Sequence, residues 1–105
     1  MTLAEQESLR VAVSGCWNTG SLSSAALRVT VVVAVQMAET GKPVSTTIRL
    51  VSSTGGEGEA ITQAYEAARR AILRCGAKGY DLPQEKFGQW RDIEMTFNPE
   101  KMRIK

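Results

Sequence analysis

The sequence contains no histidine, which removes at once the commonest general base and the commonest metal ligand. Carboxylate and lysine chemistry stay open, but the usual catalytic constellations cannot be assembled. Charge of one sign is lacking too: 13 Lys and Arg stand against 11 Asp and Glu, a net +2. Nucleic-acid binders carry a clustered basic stripe, and the one local excess here is Lys101, Arg103 and Lys105 at the tail. That is too little for a nucleic-acid partner. The apolar run Val29 to Val35 is too short to cross a bilayer, which takes roughly 20 residues. No secretory signal is visible, since Thr2, Leu3, Ala4 and Glu5 offer neither a basic start nor an apolar stretch. Met1 directly before a helix-start signal reads as the beginning of an excised segment, with any signal, anchor or linker outside it.

What is present fits one small domain spanning 1–105. Hydrophobic residues make up 43% and charged residues 23% of 105 residues, a balance that folds rather than stays disordered. No internal repeat or low-complexity tract divides the chain. The cysteine inventory is Cys16 and Cys75. They lack CxxC spacing and, without histidine, cannot complete a four-ligand zinc site. Two readings remain, a pair of buried free thiols or a disulfide, and the disulfide is favoured. It would imply an oxidising compartment and stabilise by roughly 4 kcal/mol in the chain-entropy model. Whether the sulfurs meet depends on the fold.

Thr2 and Glu5 make a capping-box pattern, and Leu3, Leu9 and Val13 give the following helix an apolar side. Gly15 ends it, and Asn18 to Ser24 is a polar loop. Leu27 to Ala38 is the clearest strand, with Val29, Val31, Val33, Val35 and Met37 on one apolar face. The turn Glu39-Thr40-Gly41-Lys42 leads to a second strand starting at Pro43, in which Val44, Thr46, Ile48 and Leu50 alternate with polar residues. After a break at Ser52 to Gly56, a helix is expected over 57–75. Glu57 and Glu59 suit its positive end, and Arg69, Arg70 and Arg74 its negative end. Its stripe is Ile61, Ala64, Ala68, Ile72 and Cys75. The connection from Ala77 to Gln89 is long but carries Tyr80, Leu82, Pro83 and Phe87, so it should be packed. Trp90 to Asn98 alternates as a half-buried strand, ended by Pro99.

The expected fold is therefore α+β: a three-stranded antiparallel sheet in the order 2-1-3, elements running helix-strand-strand-helix-strand, helices on one face. The most apolar strand belongs in the centre, and the second helix makes a right-handed crossover. The carboxyl ends of both helices can then approach, which suits a Cys16–Cys75 bridge. Such a sheet has open edges. Pro43 and Arg49 guard the second strand, whereas the third has only the charges of Arg91, Asp92 and Glu94. An edge of that kind can accept an extended peptide as an added strand; the other reading is that the C-terminal tail or a loop covers it.

Chemistry elsewhere is sparse. Glu57 with Glu59 reads as helix-end charge, and Asp92 with Glu94 as a solvated strand face rather than a glycosidase pair. Gly55-Gly56 has no accompanying phosphate-loop lysine. Ser14, Ser52 and Ser53 have no histidine partner, and nothing beside Lys78 or Lys86 would activate an amine. Trp17 and Trp90 read as core or edge anchors. The expectation is a protein-binding domain with no enzymatic activity, cofactor or metal.

The assembled pattern resembles the C-terminal domain of the TolA family. It comprises the Cys16-Trp17-Asn18 step after a first helix, a hairpin turning at Glu39-Thr40-Gly41, then Ser52-Ser53 and Gly55-Gly56. The alanine-rich helix Ala60 to Cys75 and the closing stretch Ile93 to Arg103 complete it. The connection around Gly79-Tyr80-Asp81-Leu82-Pro83 resembles α-proteobacterial versions. The resemblance implies a periplasmic domain of an inner-membrane-anchored protein working with a TolQ/TolR-like complex. The implied partner is TolB, captured through its extended N-terminal segment at the sheet edge and leading on to Pal. In some bacteria colicins and filamentous phage coat protein use such a domain. A TonB-type transducer binding an outer-membrane transporter peptide is the alternative. On this reading Arg91, Ile93, Glu94, Met95, Thr96 and Phe97 receive the partner strand, and Cys16 and Cys75 form the bridge.

Overall fold

A computed structural model describes residues 1–99 and 103–104, so Lys101 and Lys105 of the basic tail lie outside the described residues. The chain runs α1 (Leu3–Ser14), β1 (Thr30–Gln36), β2 (Arg49–Thr54), α2 (Glu59–Cys75), α3 (Phe87–Trp90), β3 (Asp92–Phe97) and β4 (Arg103–Ile104). Strands β2, β1 and β3 form an antiparallel sheet in that order, with helices packed against it, so the fold is α+β. A short β4 lies beyond β3. No helix among the described residues is long and apolar enough to cross a membrane.

The period-2 pattern of β1 decides the core. Val31, Val33 and Val35 sit directly across from Phe97, Met95 and Ile93, and all six are buried on the side facing the helices. Ala64, Ala68, Ala71 and Ile72 of α2 complete that cluster with Leu9 and Val13 of α1. Alanines on the contact stripe let the helix lie close to the sheet. At the start of α1 the Thr2 hydroxyl accepts from the Glu5 amide at 3.1 Å, and the Glu5 carboxylate accepts from the Thr2 amide at 2.8 Å. The capping box is present; Leu3, expected on the apolar side, points into solvent instead.

Cys16 and Cys75 stand at disulfide distance with Cα atoms 5.8 Å apart, joining the carboxyl ends of α1 and α2. The long connection is packed, as its aromatics suggest. The Tyr80 hydroxyl donates to the Ile72 carbonyl at 2.7 Å, and the Trp90 indole to the Pro83 carbonyl at 2.6 Å. Gly41, at φ +85°, lies so close to Tyr80 that a Cβ there would collide with the Tyr80 carbonyl.

The second strand begins later than its alternation suggests. Pro43 bridges Met37 across the turn, but Ser45–Thr47 then forms a 3-10 turn and β2 starts only at Arg49. The Thr47 hydroxyl is the cause. It donates to the Val44 carbonyl at 2.7 Å and accepts from the Gln36 amide at 2.9 Å, so a side chain takes the place of a ladder partner. The other ends shift by a few residues. Ala26–Arg28 is a 3-10 turn before β1, α2 starts at Glu59 after Gly58, and Trp90 closes a short helix before β3.

Candidate functional site at the sheet edges

The third strand was the expected docking margin, and its geometry limits what that margin can offer in two ways. β4 pairs antiparallel with it, Met95 opposite Ile104 and Thr96 opposite Arg103. The outer side of β3 is therefore occupied there by the chain's own backbone. Ile93, Met95 and Phe97 are each at most 2% exposed, so their side chains belong to the core. What β3 offers to solvent is the carboxylates of Asp92 and Glu94 and a half-buried Thr96. Arg91 precedes the strand, with its guanidinium 3.3 Å from the Asp92 carboxylate and its carbonyl accepting from the Met37 amide at 2.7 Å. Among the described residues β4 pairs only with Met95 and Thr96, so Asp92 to Glu94 have no partner in it.

The opposite margin is open. β2 pairs with β1 alone, and among the described residues no strand lies on its outer side. Every residue of β2 except Ser53 is exposed, including Leu50 at 39% and Val51 at 47%. Val32 faces Ser52 while Val33 faces Leu50, which leaves Val51 as the extra residue of a β-bulge. Bulges and charges such as Arg49 temper an edge without closing it. The proline assigned to guard this strand does not lie on it, since Pro43 precedes the 3-10 turn. The sequence signal for this edge was present in the apolar pair Leu50-Val51 beside three hydroxyl residues. It was masked by the apparent continuity from Pro43.

The remaining chemistry-bearing residues stay scattered. Ser14 donates its hydroxyl to the Val11 carbonyl. Lys86 reaches Glu5 at 3.5 Å, and Glu57, Glu59 and Lys78 are exposed. No group of three or more potential metal ligands occurs among the described residues. The Thr2 amide chiefly, with help from Lys86, holds the Glu5 carboxyl below its ordinary range, and Arg10 does the same for Glu7. Burial pushes the Tyr80 phenol upward. These three groups serve helix starts and packing rather than a common cleft. No protein-family model, curated protein or solved structure matches the chain.

Proposed function

We propose that this domain binds another protein by taking up an extended segment as an additional strand on the outer edge of β2. The observation that carries this is the margin Arg49–Thr54, which has no strand on its outer side among the described residues and lies beside the exposed Leu50 and Val51. Main-chain ladder bonds would supply affinity, and those two side chains would supply selectivity. The resemblance to the TolA C-terminal domain supports the extended N-terminal segment of TolB as the partner. The cysteine pair at disulfide distance suits the oxidising periplasm that this reading requires.

A TolB N-terminal peptide titrated into the isotopically labelled protein tests the assignment. Amide shifts should concentrate at Arg49 to Thr54. The double variant L50K/V51K should weaken binding by roughly tenfold or more, since exposed lysines on an edge oppose strand addition. Because both positions are exposed, folding should hold within about 0.5 kcal/mol. Shifts confined to Asp92 to Glu94, or unchanged affinity in that variant, would overturn the placement on β2.

A further inference from the structure

We propose that the groove between the carboxyl half of α2 and the loop that follows α1 is a separate binding site for an acidic peptide segment. The groove has a volume of about 410 Å³, and its lining includes Cys16, Asn18, Ser21, Arg70, Leu73 and Arg74. Arg70 and Arg74 are spaced by one helical turn, so both guanidiniums stand on the same side of α2 with Leu73 beside them. Neither makes an ion pair or hydrogen bond among the described residues. Like charges at that spacing oppose each other, and no carboxylate lines the groove to relieve them. The negative end of the helix dipole favours Arg74 near the last turn, but Arg70 lies further back.

The other walls complete the chemistry. The Asn18 side-chain oxygen is taken by the Gly20 amide at 3.1 Å, which leaves its amide nitrogen as a donor. Ala67, Leu73 and Cys16 supply the apolar part of the lining. The groove thus presents cationic donors above an aliphatic surface, the complement of a carboxylate next to an aliphatic side chain. The cysteine pair fixes the loop to the helix, so the walls are held in place before a ligand arrives. This site shares no residue with β2, and its test uses a probe too short to form a lasting strand there.

The probe is the capped tetrapeptide Ala-Leu-Glu-Ala, with Ala-Leu-Gln-Ala as its neutral counterpart, titrated into the labelled, oxidised protein. Saturable shifts are expected at Asn18, Ser21, Leu73 and Arg74, with the glutamate peptide bound roughly fivefold or more tightly than the glutamine one. In R70Q/R74Q that preference should vanish while the thermal transition stays in place. Equal affinity for the two peptides, or shifts spread over basic residues without saturation, would overturn the proposal. So would inorganic phosphate binding as well as the glutamate peptide, since that marks a site for simple anions.

Discussion

Strands β2 and β3 flank the same central strand, yet they are built differently. β3 sends Ile93, Met95 and Phe97 into the core, and β4 covers part of its outer side. β2 buries none of its residues, is interrupted by a bulge and, among the described residues, has a strand neighbour on one side only. Its approach is held by local contacts, among them the Tyr65 hydroxyl donating to the Ile48 carbonyl at 3.1 Å. One margin carries core side chains and the other carries none. Segments with few buried apolar contacts open at the least free-energy cost, and binding elements are drawn from that end of the range.

The sharpest way to break this contrast is truncation on both sides. Phe97→Ala should cost about 3–5 kcal/mol, as expected for a fully buried aromatic, whereas Leu50→Ala should change stability by no more than about 0.5 kcal/mol. Urea unfolding of the two variants measures the difference, and comparable losses would show that β2 is as structural as β3. Reduction of Cys16–Cys75 comes next, with an expected loss of roughly 2–4 kcal/mol for a bridge across so long a loop. It should abolish the glutamate preference of the α2 groove and leave peptide pairing at β2 in place once the protein is folded. Thermal unfolding with and without reductant reads the first effect, and amide shifts read the second.

A smaller effect discriminates between the margins more directly. Ending the chain at Pro99 removes β4, a two-residue pairing, and should cost about 1–2 kcal/mol at the net value of a few hydrogen bonds. If β2 is the docking edge, affinity for the TolB peptide should not change. A clear gain on truncation would mean that β4 competes with the peptide, and would return the site to β3.

Much of this architecture could be read from residue order, and the failures share one cause. The alternation Val29 to Met37 and Ile93 to Phe97 marks strands because side-chain direction has period 2 whatever the rest of the chain does. The capping box at Thr2 and Glu5 is equally local. The start of β2 was not legible, because Val44, Thr46, Ile48 and Leu50 also alternate and nothing local shows that the Thr47 hydroxyl will displace a backbone partner. β4 was not legible either, since two residues carry no periodicity. Which edge stays open depends on where the chain goes after Pro99, and that is a property of the whole fold. The expected docking margin at β3 therefore proved partly covered by β4, although the order of the sheet was read correctly.

The smallest expected effect concerns how the β3 side is covered. α1 is tied at its start to the segment leading into β3, with the Met1 ammonium donating to Gln89 at 2.7 Å and Lys86 within 3.5 Å of Glu5. Replacing Thr2 by alanine removes the cap and should lower stability by about 1 kcal/mol, roughly 4–8 °C in Tm for a domain of this size. The Glu5 carboxyl titrates below its ordinary range in the folded protein. Its contribution is therefore complete above the ordinary carboxylate range and is lost as pH falls through the lowered folded value. In Thr2→Ala the carboxylate still accepts from the residue-2 amide but loses its reciprocal partner, so this acid-dependent loss should be smaller and complete at higher pH than in the parent. Hydrogen exchange across α1 as pH is lowered measures both effects. Protection lost in α1 while the β1–β2 amides keep theirs would separate the cover of one margin from the other. Simultaneous loss would mean that the sheet edges and α1 open as a single unit, and that the contrast between the margins is one of exposure without a difference in local stability.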